Sequence, residues 1–578
     1  MKHKTIIVTL VVAVLALLVP LGAIALAPRQ QGEGVPGQMT YQGYLTNAQG
    51  TPIAGDVDLQ FGIYPQESGG DVEWSETHDS VELADGYFSV NLGETTPLTS
   101  TVFADPDRWL QVSVNGEAMG RQKIAAVPYA FQAASVPWSG LTGVPDGFAD
   151  GIDDVGGQYS HVVVVAKSGG HHTSIQAAID SITDAAAESR YLVWVAPGTY
   201  TETVTMKPYV HLQGAGQGAT IVASTATGES PPGATISLAR DTSLRDLTVI
   251  NVGTTSRAAA LSASGGVIDV MVSDVTAHAQ GTATENYGVY LSSGVSGVQV
   301  RLQNVTAIGE NGATNNHGLY NDGSSGDALV TLFGGSFTGR GGSGFAYGIL
   351  NTGAHSDLEA ENVVALGTLA DGDVSNNFAL SNENGATAML RGGSYTGRNG
   401  SHARGIRNQQ NARLEMESVT VLAQDATDTN MGVVNRDGAT AVLRGGSFFG
   451  RGGDRAIGVH NYAATVSVEW ATVQGENGTN ESRGFSNGSG GHASLAGGAF
   501  VSQGSSGTKY GIYNETDSNV NIAQSILTGE GTGTLYSVYN DGTVNVAHSL
   551  LVSEIGGGGT TSCTAVSRGS TFSASGCP

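Results

Sequence analysis

Six side chains able to do chemistry recur at one place in a repeat. They stand third in the segments Gly288-Val289-Tyr290-Leu291, Gly318-Leu319-Tyr320-Asn321, Gly405-Ile406-Arg407-Asn408, Gly458-Val459-His460-Asn461, Gly511-Ile512-Tyr513-Asn514 and Ser537-Val538-Tyr539-Asn540. Aromatic rings, a guanidinium and an imidazole at regular spacing can pack against and hydrogen-bond to a chain of sugars. Tyr290, Tyr320, Arg407, His460, Tyr513 and Tyr539 are therefore candidate contacts for an extended glycan. The plainer alternative is a set of unrelated exposed strand residues, since tyrosine is common on strands.

The elements that position these residues follow from the repeat. Related tetrads are Gly348-Ile349-Leu350-Asn351, Ala379-Leu380-Ser381-Asn382, Gly432-Val433-Val434-Asn435 and Gly484-Phe485-Ser486-Asn487, so that Asn recurs every 26 to 31 residues. Upstream, Ala258-Ala259-Ala260-Leu261 and Gly288-Val289-Tyr290-Leu291 keep the spacing but carry Leu. Such a period corresponds to one coil of a parallel β-helix, with three short strands and three turns. The second tetrad residue is always apolar from Val289 to Val538, as an inward position requires. The third varies freely and is expected to face solvent. The asparagines are expected to stack internally, each amide bonding the coils above and below. Ten coil intervals at about 4.8 Å make a rod of roughly 48 Å.

A second period doubles the first. Gly334-Gly335-Ser336-Phe337, Gly392-Gly393-Ser394-Tyr395, Gly445-Gly446-Ser447-Phe448 and Gly497-Gly498-Ala499-Phe500 fall on alternate coils. Bulky and small residues are thus expected to alternate through the interior. Before the repeat, Ser174 to Ile182 is the one helical pattern, with Ser174 as N-cap and Ile175, Ala178, Ile179 and Ile182 on one face. It suits a cap over the open end of the solenoid.

Other reactive residues have weaker patterns. Asp246, Asp269 and Asp274 could serve as catalytic carboxylates, but isolated acids are usually solvated turn residues. His171-His172 lacks a third ligand and reads as a turn, and no metal or cofactor is expected. Asp146, Asp150, Asp153 and Asp154 have no calcium-loop spacing, and 136–158 reads as an acidic linker. Cys563 and Cys577 are expected to form a disulfide, closing a loop of about 15 residues and contributing roughly 3 kcal/mol.

Composition agrees with an all-β chain. Of 578 residues 85 are glycine, about twice the usual share, without a three-residue period and with only 15 prolines, which excludes collagen. Hydrophobic residues make up 40% and fall into short runs, which argues against disorder. A net charge of −25 argues against tracking of nucleic-acid phosphates. Residues 1–25, with Met-Lys-His-Lys before an uncharged, mostly apolar run, read as a secretory signal; a retained anchor is the alternative. No membrane span is expected after its removal, and the protein is expected to be secreted or on the cell surface.

The chain then divides into a β-sandwich-like module (37–135), the linker, a parallel β-helix (159–556) and a disulfide-closed tail (557–578). Val57 to Tyr64 and Trp109 to Val114 carry the period-two pattern of the first module. Its Met39-Thr40-Tyr41-Gln42-Gly43-Tyr44-Leu45 and Ala126-Val127-Pro128-Tyr129-Ala130-Phe131 resemble a module of large bacterial secreted proteins, which implies a surface location.

Thr173-Ser174-Ile175-Gln176-Ala177-Ala178-Ile179, Pro197-Gly198-Thr199-Tyr200-Thr201-Glu202 and His211-Leu212-Gln213-Gly214-Ala215-Gly216 resemble the start of pectinesterases and related right-handed β-helix enzymes. The resemblance covers about 90 residues and implies an all-β, right-handed parallel β-helix with an N-terminal capping helix. It implies chemistry poorly. The family's first oxyanion glutamine would fall on Arg257, its second has only Gln280-Gly281-Thr282 nearby, and its later aspartate motif has no counterpart. No catalytic residue is assigned. The expected function is display of a glycan-binding or adhesive rod to a polysaccharide or cell-surface glycan. A diverged pectinesterase-like or lyase-like enzyme and a structural spacer are the alternatives.

Overall fold

The computed structural model describes residues 38–47, 49–103, 107–124, 159–369, 375–504, 506–568 and 571–577. The expected signal (1–25), the acidic linker (136–158) and the Ala126–Phe131 segment lie outside them. The chain divides into two compact units, 1–145 and 146–578.

In the first unit, strands form where apolar residues alternate. Tyr87–Leu92 buries Phe88, Val90 and Leu92 and exposes the residues between. It pairs antiparallel with Met39–Tyr44. A second antiparallel sheet has Gly55–Tyr64 between Trp74–Leu83 and Trp109–Val114. The two sheets contribute Leu59, Phe61, Ile63, Trp74, Phe88 and Leu92 to one core. The buried Glu76 carboxylate accepts backbone N–H bonds from Gly93 at 2.7 Å and Thr95 at 3.3 Å, holding the turn after Leu92.

The second unit is a parallel β-solenoid of about 14 turns. Each regular coil has three short strands, as in Val298–Gln303, Thr306–Glu310 and Asn315–Asp322. The third strands stack into a sheet of 14, and the other two kinds belong to a sheet of 29. Those two kinds run as separate stacks, joined where a long strand belongs to both, as Val267–Ala279 pairs with both Val298–Gln303 and Thr306–Glu310 and Thr560–Arg568 with both Thr543–Ala547 and Leu550–Leu551. A left-handed residue makes the turn between them on ten successive coils: Asn304, Gly334, Asn362, Gly392, Ser418, Gly445, Trp470, Gly497, Gln524 and His548. One side-chain layer reads Phe337, Ala365, Tyr395, Val421, Phe448, Val473 and Phe500, all buried. Bulky residues thus alternate with smaller ones, as the doubled period requires.

The helix Ile175–Ser181 buries Ile175, Ala178 and Ile179 in the solenoid core. Ser174 accepts from the Ala177 N–H at 3.2 Å. The Glu202 carboxylate accepts from Ser174 Oγ (2.7 Å) and from the N–H groups of Ile175 and Gln176 (both 2.9 Å). Lys207 Nζ donates to the carbonyls of Ile179 (3.0 Å) and Ile182 (3.2 Å) at the other end. Opposite charges therefore meet the two ends of the helix dipole. The Pro197–Glu202 motif thus holds structure together: Tyr200 is fully buried and Glu202 anchors the cap.

At the other end, Thr560–Arg568 continues the parallel stack beside Thr543–Ala547. The chain then reverses into Thr571–Ser575, and Cys563 and Cys577 form a disulfide. Among the described residues no helix is long and apolar enough to cross a membrane.

The asparagines form the expected ladder. Asn321, Asn351, Asn382, Asn408, Asn435, Asn461, Asn487, Asn514 and Asn540 are buried. From Asn321 to Asn514 each Nδ2 donates to the next Oδ1 at 2.8 to 2.9 Å, and Asn540 donates to the Thr560 carbonyl at 2.9 Å. A further bond reaches a backbone carbonyl, as from Asn351 to Thr387 O at 2.8 Å. The Asn321 Oδ1 has no partner, because the coil before it carries Leu291. Asn435→Ala removes one of the acceptors of Asn408 and the amide donor of the Asn461 Oδ1 and of the Thr465 carbonyl. It is expected to destabilise the solenoid by about 1–3 kcal/mol in denaturant unfolding; an unchanged midpoint would show that the amide contributes nothing.

Candidate functional site

The six candidate residues lie in one outward row of the 14-stranded sheet. The register runs Tyr290, Tyr320, Leu350, Ser381, Arg407, Val434, His460, Ser486, Tyr513 and Tyr539. A second outward row lies beside it: Tyr287, His317, Tyr347, Phe378, Arg404, Met431, Ile457, Arg483, Tyr510 and Tyr536. Its members precede the small tetrad residue by one position. Aligning the tetrads with one more residue on the left exposes this series of rings and cations.

Two outward residues three apart require a bend. Val289 and Leu291 are buried in the core while the Tyr287 and Tyr290 rings meet outside it, 5.2 Å apart. The tetrad glycine permits this arrangement. A Cβ on Gly318 would lie 2.5 Å from the Gly348 carbonyl oxygen of the next coil and 2.5 Å from the Thr338 nitrogen.

The expectation that the third tetrad residues face solvent is corrected. Tyr290 is 8% exposed, Leu350 7%, Val434 3%, and Ser381 and Ser486 are fully buried. Coils about 4.8 Å apart leave no room for water between side chains in register. The rings stack instead: Tyr287 on His317 at 4.7 Å, His317 on Tyr347 at 5.0 Å, and Tyr347 on Phe378 at 5.2 Å. Tyr290 stacks on Tyr320 at 5.1 Å, Tyr513 on Tyr539 at 5.4 Å and Tyr510 on Tyr536 at 5.6 Å. Between rows the rings meet edge to face, as Tyr510 meets Tyr513 at 70°. Ring edges and phenolic hydroxyls, rather than paired faces, are left for a ligand.

Cations occupy the middle of the strip. Arg407 lies 3.9 Å over Phe378 and pairs with Glu383 at 2.7 Å. Arg483 lies 3.7 Å over Tyr513 and pairs with Glu481 at 2.8 Å. Arg404 bonds the neutral Asn376 at 2.5 Å. Burial, then Arg407 and Arg436, brings its pKa down to about 10, so it stays charged at neutral pH. At one end, Glu285 pairs with Arg257 at 2.9 Å and accepts from Tyr287 and Asn315. Arg257, the position matched to the oxyanion glutamine, is thus engaged in an ion pair.

The remaining candidates lie elsewhere. Asp246, Asp269 and Asp274 adopt left-handed turn conformations, with φ of 59°, 56° and 53°. His171 Nδ1 accepts from the Val164 N–H at 3.0 Å, and His172 meets Ser181 at 3.3 Å. Among the described residues no group of three or more His, Cys, Asp or Glu side chains is placed to hold a metal.

Two histidines of the strip are neutral in the folded chain. Burial, opposed by Glu285 and reinforced by Arg257, takes His317 down to about 4. Burial and then Arg483, Arg436, Arg404 and Arg455 take His460 to about 3. The Nδ1 atoms of both are buried without a hydrogen-bond partner. An unfolded chain takes up these protons first as pH falls below ~6.5. The stability tied to the neutral rings is complete above that pH and is lost as pH falls towards 4 for His317 and 3 for His460. The slope approaches about 1.4 kcal/mol per pH unit for each ring. His317→Phe, which keeps the stack, is expected to show a smaller fall in melting temperature between pH 7 and pH 5 than the parent.

A domain-family model described as a domain of unknown function (DUF8740) matches residues 40–124, within the first unit. No curated protein matches the sequence. Among solved structures, the chain is similar to the A-module of a mannuronan C-5 epimerase from Azotobacter vinelandii, at 14% identity over 69% of this chain and 94% of that one, TM-score 0.31. It is similar to a pectin methylesterase from Erwinia chrysanthemi, at 14% identity over 50% of this chain and 80% of that one, TM-score 0.26. A pectin methylesterase from carrot shares 11% identity over 39% and 73%, TM-score 0.23.

Proposed function

We propose that the outer face of the 14-stranded sheet binds an extended polysaccharide, and that the protein displays this surface outside the cell. One observation carries the reading: two adjacent rows run in register from Tyr287 and Tyr290 to Tyr536 and Tyr539, and fourteen of their twenty side chains are aromatic or cationic. Stacking within the rows orders the rings before any ligand arrives, which lowers the entropy lost on binding. Tyr320, Tyr510, Tyr513, Tyr536 and Tyr539 keep part of their surface in solvent. Their hydroxyls and edges, with the N–H groups of Arg404, Arg407 and Arg483, supply hydrogen bonds to sugar hydroxyls.

The test is electrophoresis through gels containing single polysaccharides. In at least one polysaccharide the double variant Tyr513→Ala/Tyr539→Ala is expected to bind at least tenfold more weakly, about 1.4 kcal/mol, with the coil intact by circular dichroism. Tyr539→Phe keeps the stack but removes one hydroxyl and is expected to lose less. Unaltered mobility of the parent in every polysaccharide would leave the spacer as the better account.

The cluster of Glu285, Tyr287, Arg257 and His317 supports a second reading, a polysaccharide-modifying enzyme. Burial and the Glu285 carboxylate raise the Tyr287 pKa, while Glu285 is held below its usual range against its burial by Tyr287, Asn315, His317 and Arg257. Titratable groups shifted in opposed directions are common at catalytic centres. Release of methanol or unsaturated sugars from pectic substrates, abolished in Glu285→Gln, is the expected result if this reading holds; a null result across those substrates would reject it for them.

A further inference from the structure

Trp470 sits where no other bulky aromatic does. Among the ten left-handed turn residues its counterparts are glycine, asparagine, serine, glutamine and histidine. A bulky side chain at φ 56° is disfavoured, and such strain persists where the surroundings hold it. Trp470 is nevertheless 69% exposed. Its ring lies over Gly497 of the next coil, where a Cβ would come within 2.4 Å of ring atom Cε3. One ring face is therefore seated on backbone at a position with no side chain.

The surface beside it changes character at the same coil. Along one outward row Glu361, Arg391, Glu417, Arg444 and Glu469 alternate in charge, and Arg444 pairs with Glu469 at 3.4 Å. The row then continues as Ala496, Ala523 and Ala547. Long charged side chains give way to a low floor. Next to it lies a groove of about 280 Å³, lined by Thr440, Thr465, Ser467, His492, Ser494 and Asn521 among others, with no carboxylate, lysine or arginine in its lining. Ser467 is three residues from Trp470, about 10 Å along an extended chain.

We propose that Trp470 and this groove form a second glycan-binding site, on a different sheet from the tyrosine and arginine strip, selective for neutral polysaccharide. The indole offers a flat apolar surface to the C–H face of a sugar. The Thr440, Thr465 and Ser494 hydroxyls offer both donors and acceptors to sugar hydroxyls, whereas Ser467 donates to Glu469 at 3.2 Å and Asn521 accepts from Asn545 at 2.9 Å. An uncharged groove on a chain of net charge −25 favours a neutral ligand over an anionic one. A single exposed aromatic beside small polar residues is unlike a protein interface, whose centre gathers several apolar anchors.

The experiment compares the full chain with Trp470→Gly, Ser494→Arg and Tyr513→Ala/Tyr539→Ala by affinity electrophoresis in xylan, glucomannan and hydroxyethyl cellulose. At least one of these neutral polymers is expected to retard the parent. Trp470→Gly is expected to bind at least tenfold more weakly while melting at the same or a higher temperature, because glycine is at ease in the left-handed turn. Ser494→Arg, which fills the groove, is expected to weaken the same binding. The tyrosine variant is expected to keep it, which separates this site from the strip. The proposal is overturned if none of the three polymers retards the parent, if Trp470→Gly binds as the parent does, or if neutral binding is lost only with the tyrosines.

Discussion

An asparagine amide can donate and accept a hydrogen bond along the same line, and the solenoid depends on that property. Coils of this size place equivalent residues about 4.8 Å apart, so each side chain has its own counterpart above and below. A buried polar group is tolerable only when its partners are supplied. In the ladder each internal Asn receives one amide bond and gives another, with remaining capacity turned towards backbone carbonyls such as Ala412 and Thr440 beside Asn408. The price appears at the first rung, where the Asn321 oxygen has no donor beneath it.

The same axial spacing governs the outer face. A ring placed outward once per coil meets the next ring at stacking distance, and a guanidinium placed there meets a ring face. The Tyr287 to Phe378 stack and the Arg483 contact with Tyr513 are two products of one geometric rule. It orders the side chains that a glycan would meet, and it also consumes their faces. Trp470 differs because its neighbour is Gly497: one face rests on backbone and the other stays open.

Much of this architecture is legible in the chain. The Asn spacing identifies the coil, the apolar second tetrad residue identifies the inward direction, and Phe337, Tyr395, Phe448 and Phe500 identify alternate layers. The capping helix is legible from Ser174 and the spacing of Ile175, Ala178 and Ile179. The role of Glu202 is not, because its partners lie 26 to 28 residues away and meet it only when the first coil closes. Free variation at the third tetrad position suggests solvent, yet Tyr290 and Val434 are buried. Variation there reflects the choice of neighbour along the stack, a relation between coils rather than within one. Row members such as Tyr287 and Arg404 escape notice because they lie just outside the tetrad.

The repeat, the internal asparagines and one of the two outward rows can be read from the chain, because each depends on residue type at a local spacing. Which faces of those side chains remain free is set by the stacking of the coils. That depends on what the next coil places 4.8 Å away: another ring at Tyr290, an arginine at Phe378, and a bare glycine beneath Trp470.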